Sequence, residues 1–238
     1  MPILPPVMAG NPSSTGSRWP LAQLLRLGQD LITLPTCPCC GGGATDRHRP
    51  CGDCLKRWAW PETLLHGREP MRFWAVGLYR QSWRSQLLAC RQNPLPGVLH
   101  CAAEHLLTGL SWEGEPPVLM PIPGWKRRGN PLPEAFSQSL SQCSGWPQVQ
   151  WLKKQPRPGQ HHLGASGRRR NLQDAFRVLP VARHSQPGRL VFLVDDILTT
   201  GSTALAAAAP LEAAHIPVAG LLCLARTPPK GPRCPTVG

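Results

Sequence analysis

The chain has 238 residues, with 26 Lys and Arg against 13 Asp and Glu, a net charge of +13 and a pI near 9.9. A hydrophobic fraction of 41% supports the core of one α/β domain with a small appendage, while 29 Pro and 23 Gly imply long irregular segments. No stretch approaches the roughly 18 apolar residues of a membrane span, and the ten cysteines are too sparse and uneven for a disulfide scaffold. The basic excess points to a polyanionic partner, either a multiply phosphorylated substrate or nucleic acid.

Residues 1–18, rich in Pro, Gly, Ser and Asn, read as a disordered leader. Met1 to Ala9 is interrupted by prolines and lacks a charged n-region, which makes a poor signal peptide and leaves the cytoplasm as the default compartment. Leu21, Leu24, Leu25, Leu27, Leu31 and Ile32 recur at near-helical spacing and predict a short amphipathic helix. Cys37-x2-Cys40 and Cys51-x2-Cys54 then form two knuckles, each presenting two thiolates on one side of a tight turn. Two such turns close a tetrahedral site, so Cys37, Cys40, Cys51 and Cys54 are candidate ligands of a structural zinc, with Cys39 as a substitute thiol and His48 as a weaker fifth candidate. The helix and knuckles make up a module at 19–62, joined onward through Trp58-Ala59-Trp60-Pro61.

Phe73 to Tyr79 reads as the first strand of the main domain, followed by helices over Trp83–Cys90 and His100–Leu107. Val118-Leu119-Met120-Pro121-Ile122-Pro123 is the next buried strand, and the basic turn Lys126-Arg127-Arg128-Gly129 lies just beyond its end. Val149 to Leu152 reads as a third strand, opening onto a polar loop that begins at Lys153. Val218 to Arg226 reads as the last strand, and residues 228–238 as a disordered tail. Strands near 75, 120, 150, 192 and 221 with helical stretches between them give an α/β fold, an open parallel sheet with helices on both faces.

The main domain is organised around Leu190-Val191-Phe192-Leu193-Val194, an apolar run suited to a strand buried on both faces. It leads directly into Asp195-Asp196-Ile197-Leu198-Thr199-Thr200-Gly201-Ser202-Thr203 and a helix-forming Ala-rich segment that Pro210 is expected to end or kink. A small-residue turn at a helix N-terminus offers free N–H groups and the positive end of the helix dipole to a phosphate. Adjacent carboxylates suit sugar hydroxyls or magnesium. Phosphate on the turn and ribose on the carboxylates spell a ribose 5-phosphate. The Lys of a Walker A loop is missing.

Val194 to Thr203 resembles the phosphoribosyl-pyrophosphate (PRPP) loop of type I phosphoribosyltransferases. The proline-flanked strand with its basic turn, the zinc knuckles, and the spacing of Gln160, Leu163, Arg168, Asn171 and Phe176 resemble the ComF/GntX family, predicted phosphoribosyltransferases with an N-terminal zinc module. The turn departs from the family pattern at Asn130-Pro131, where Phe-Asn-Gln is typical. The resemblance implies a phosphoribosyltransferase-like domain over 70–227. In it Asp195 and Asp196 hold the ribose hydroxyls, Thr199, Thr200, Gly201, Ser202 and Thr203 cradle the 5′-phosphate, and Lys126, Arg127, Arg128 and Gly129 meet the pyrophosphate. It also implies a flexible lid after Lys153, with Arg168 reaching the pyrophosphate, so that Asp196 and Arg168 are the candidate catalytic residues, and magnesium bound with PRPP. The alternative is a binding protein without turnover, for PRPP, a nucleotide or single-stranded DNA, since relatives in this family are associated with natural competence and DNA uptake. Oligomer formation stays compatible with either.

Overall fold

The computed structural model describes residues 35–124, 129–155, 175–181 and 188–228. The expected leader, the helix over 21–32, Lys126, Arg127, Arg128, the lid segment with Arg168, and residues 229–238 of the tail lie outside the described residues. From Thr36 onward the chain forms one compact unit.

Its elements in chain order are α1 (Gly52–Trp58), β1 (Leu65–Gly67), β2 (Phe73–Leu78), α2 (Gln81–Gln92), α3 (Pro96–Gly109), β3 (Val118–Pro121), α4 (Leu132–Ser144), β4 (Leu152–Lys154), β5 (Phe176–Val178), β6 (Val191–Leu198), α5 (Ser202–Ala213) and β7 (Val218–Arg226). Five strands build one sheet in the order β1-β2-β7-β6-β3, parallel throughout except for the antiparallel edge strand β1. The central strands β6 and β7 are nearly continuous apolar runs because both of their faces are covered. On one face Trp83 and Leu87 of α2, Leu99 and Leu106 of α3, and Phe136 and Leu140 of α4 pack against Val76, Phe192, Val194 and Leu224. On the other, Ala204, Ala207, Ala208 and Leu211 of α5 pack against Leu193, Leu221 and Cys223.

The strand expected near residue 150 does not join the parallel sheet. Leu152–Lys154 pairs antiparallel with Phe176–Val178 as a separate two-stranded ribbon, and only an isolated bridge between Leu119 and Gln148 ties the preceding segment to the sheet edge. Leu152 and Phe176 bury their side chains against the α5 face, so apolar burial is satisfied without the ladder. The helix over Ser202–Ala213 continues through Pro210, which falls in its last turn, where the missing N–H removes a single bond.

The aromatic join forms as the sequence suggests. Trp58 stands 5.1 Å from Trp83 of α2, ring centre to ring centre, and Trp60 5.0 Å from the same ring. The Trp83 indole N–H donates to the Leu224 carbonyl of β7 at 2.9 Å. Helix α2 is thereby clamped between the cysteine-rich segment and the sheet.

Candidate functional site

Strand β6 runs past the apolar segment and carries both acids within it, before the chain turns at Thr199. The two neighbouring carboxylates both line one cavity, yet each has its own surroundings. Asp196 is buried, at 5% exposure, on the side of α2 and α4. Its Oδ2 accepts from Arg91 Nε at 2.7 Å and from Asn130 Nδ2 at 2.5 Å, and Arg91 Nη2 closes an ion pair at 2.7 Å. Its Oδ1 accepts from its neighbour, the Ile197 N–H, at 2.8 Å. Asp195 is half-buried and in register with Cys223 of β7. Burial first, and then the charge of Asp196, push its carboxyl up to about 7, against smaller opposing effects from the Asp196 backbone N–H and Arg91. Asp195 in turn raises the fully buried Cys223 thiol, after burial itself.

The turn that follows is fixed from both sides. Arg226, the last residue of β7, donates from Nη1 to the carbonyls of Leu198 and Thr199, and the Thr227 N–H reaches Leu198 O at 2.9 Å. Gly201 caps α5 with φ +74°, a left-handed conformation, and a Cβ placed there would come within 2.0 Å of Pro70 Cγ. Both facts require glycine at this position. The Thr200 and Ser202 hydroxyls share a 2.8 Å bond, and Leu205 N–H to Gly201 O at 2.9 Å closes the first helical turn. The N–H groups ahead of Leu205 have no intrahelical acceptor, and this end of the helix is electropositive.

A cavity of about 380 Å³ opens over these elements. Asp195, Asp196, Thr199 and Thr203 line it from β6 and the turn, Arg91 and Tyr79 from the β2–α2 side, and Gly124 and Asn130 from the two ends of the basic turn. Asn130 holds its place by accepting the N–H of Leu132, the first residue of α4, at 3.2 Å. Sequence reasoning did not single out Arg91 or Asn130 as site residues. Arg91 belongs to no motif, and its position at the end of an amphipathic helix was the only available signal.

The four knuckle cysteines come together. The Sγ atoms of Cys37, Cys40, Cys51 and Cys54 all lie within 4.8 Å of one another, with Cys37 to Cys54 at 3.9 Å and Cys40 to Cys51 at 3.8 Å. Metal–sulfur bonds of about 2.3 Å in a tetrahedron require sulfurs about 3.8 Å apart, so the donor set fits zinc. Burial raises the Cys37 thiol, but backbone N–H groups of Cys51, Cys39 and Cys40 outweigh it and bring the group down to about 6. Cys39 stands outside the cluster and is pushed up to about 12, by burial first and then by Cys37. His48 is also outside; its backbone N–H donates to Asp46 Oδ1 at 2.7 Å. Among the described residues no helix is long and apolar enough to cross a membrane.

No protein-family model matches the chain. Solved structures that align with it include an adenine phosphoribosyltransferase, at 18% identity and a TM-score of 0.41 over 74% of this chain and 89% of that one. Another is the allosteric regulatory enzyme of purine biosynthesis, at 15% identity and a TM-score of 0.37 over 55% of this chain and 26% of that one. Among curated sequences, the DNA utilization protein YhgH of Escherichia coli O157:H7 is 33% identical over 203 residues, 80% of this chain and 84% of that protein. Competence protein F of Haemophilus influenzae is 30% identical over 184 residues, 74% of this chain and 77% of its own length. An α/β domain with a tetracysteine cluster, a strand–acid pair–turn–helix site and relatives of this kind belongs to the ComF/GntX family, with competence protein F and YhgH.

Proposed function

We propose that the protein binds PRPP and transfers its phosphoribosyl group to a nitrogenous acceptor. The observation that carries this reading is the meeting of Asp195 and Asp196 with Thr199 and Thr203 of the following turn around one 380 Å³ cavity, at the carboxyl end of β6. That volume is of the size taken by small-molecule ligands. The 5′-phosphate lies on the turn, held by N–H groups at the start of α5 and by the hydroxyls of Thr199, Thr200, Ser202 and Thr203. The ribose hydroxyls face the acid pair. Asp195 titrates near neutral pH and can accept or donate to a hydroxyl. Lys126, Arg127 and Arg128, which follow Gly124 in the chain, and Arg168 meet the pyrophosphate and hold its charge as the bond to C1 breaks. Magnesium bound with PRPP supplies further charge neutralisation at the leaving group. Cys37, Cys40, Cys51 and Cys54 hold zinc, whose four thiolate ligands leave no open position for chemistry. Incubation with PRPP, magnesium and a panel of nucleobases, followed by pyrophosphate release, tests transfer. Release no faster than spontaneous PRPP hydrolysis with every acceptor would argue against it.

A second reading has its own support, because the names of the relatives concern DNA utilization and competence. On that reading the basic segments contact a single-stranded backbone and PRPP is not consumed. Affinity for a single-stranded oligonucleotide that falls steeply with salt and ignores added PRPP would favour it.

A further inference from the structure

Arg91 is the one Lys or Arg among the described residues lining the cavity, 105 residues away in sequence from the acid it pairs with. Its side chain is 37% exposed, whereas its partner Asp196 is 7% exposed. Arg91 thus pairs with a buried acid while part of its side chain stays open at the cavity it lines.

Two hydrogen bonds converge on Asp196 Oδ2, one from Arg91 Nε and one from Asn130 Nδ2, with Arg91 Nη2 in ion-pair range at 2.7 Å, while Oδ1 takes the Ile197 N–H. A carboxylate oxygen offers about two lone-pair sites, so these two donors fill Oδ2 and Arg91 Nη2 is held beside it by charge alone. Guanidinium carries five N–H groups in a fixed fork. Arg91 can therefore yield a donor to an incoming anion without releasing Asp196. Its backbone is rigid, because Trp83, Leu87 and Cys90 of α2 are at most 1% exposed and Trp83 is bonded to β7. A ligand that brings phosphate groups next to two carboxylates needs a cation fixed in this place.

We propose that Arg91 is a ligand-binding residue of this cavity, which bridges Asp196 to the pyrophosphate of a bound phosphoribosyl ligand. The inference rests on the phosphoribosyl reading for the identity of that ligand, and on the cavity alone for recognition of the anion. Arg91 then sets the preference for PRPP over ribose 5-phosphate, while Asp196 keeps its geometry in both complexes.

The test is calorimetric titration of the full-length, zinc-loaded protein with three probes in magnesium: inorganic pyrophosphate, PRPP and ribose 5-phosphate. Wild type, Arg91→Ala and Arg91→Lys are compared, with Lys56→Ala on α1 as a control cation outside the cavity. Arg91→Ala should weaken pyrophosphate and PRPP by about tenfold or more and change ribose 5-phosphate little, with Arg91→Lys intermediate because it keeps the charge without the fork. If Arg91→Ala does not fold, the same comparison is made between wild type and Arg91→Lys. Pyrophosphate and PRPP bound equally by wild type and the Arg91 variants would overturn the proposal. Ribose 5-phosphate binding without pyrophosphate binding in wild type would also overturn it, yet leave the phosphoribosyl reading standing. Arg91-dependent pyrophosphate binding with no affinity for either sugar phosphate would support Arg91 and overturn that reading instead. Binding of none of the three probes would overturn both.

Discussion

Asp195 and Asp196 are consecutive residues of β6 that line one cavity with different partners, one in register with Cys223 and the other bonded to Arg91 and Asn130. A doubled charge is thus divided between two sets of partners. Asp196 is compensated by three N–H hydrogen bonds and the Arg91 ion pair, whereas the single Asp196 N–H on Asp195 Oδ1 does not offset burial and repulsion there.

From that division follows a pH dependence of folding. The Asp195 carboxyl is raised from 3.8 to about 7 in the folded chain, so folding favours its protonated form. Its contribution is fully present below the unfolded value, falls as pH rises between the two values, and is gone above pH 7 or so, a loss of about 4 kcal/mol. Asp195→Asn should therefore be more stable than wild type at pH 8, with the gain shrinking toward pH 4. Thermal unfolding of both proteins across that range checks this; a variant less stable than wild type at pH 8 would contradict it.

For Asp196 the expected sign is opposite. Asp196→Asn leaves Arg91 without its counter-charge and should cost about 1–3 kcal/mol of stability. It should also weaken PRPP binding by about tenfold or more. Denaturant unfolding and calorimetry on the same preparation read the two effects, and unchanged PRPP affinity in a folded variant would count against the assignment of Asp196 to the ribose.

Gly201→Ala strains the turn twice, through its positive φ and through the methyl directed at Pro70. The expected cost is about 2 kcal/mol, with loss of 5′-phosphate recognition. Ribose 5-phosphate affinity is the sensitive readout, since that ligand has no pyrophosphate to compensate.

Metal analysis should find one zinc ion per chain, and Cys54→Ser or a strong chelator should lower the unfolding temperature. Cys54 shares α1 with Trp58, which packs on Trp83, so metal loss should also shift tryptophan emission. A full metal-free melting temperature with unchanged emission would dissociate the cysteine cluster from the core.

Much of the site was readable from local pattern. The strand–acid–turn–helix run is contiguous from Leu190 to Thr203, and the two C-x-x-C knuckles declare their own spacing. What the pattern does not carry is pairing across the chain. Val149 to Leu152 has the composition of a buried strand, and only the tertiary partner Phe176–Val178 decides that it forms a ribbon. Leu132, Phe136 and Leu140 recur at helical spacing and are fully buried, a local signal of α4 interrupted by Pro131 and Pro133. Arg91 and Asn130 enter the site through contacts 105 and 66 residues long, which no local motif encodes.

On the proposed reading, the acid pair and the glycine turn recognise a phosphoribosyl ligand. The most direct measurement is calorimetric titration of the zinc-loaded protein with PRPP and magnesium beside ribose 5-phosphate. Micromolar binding that prefers PRPP is the predicted result, and binding of neither ligand would contradict the account.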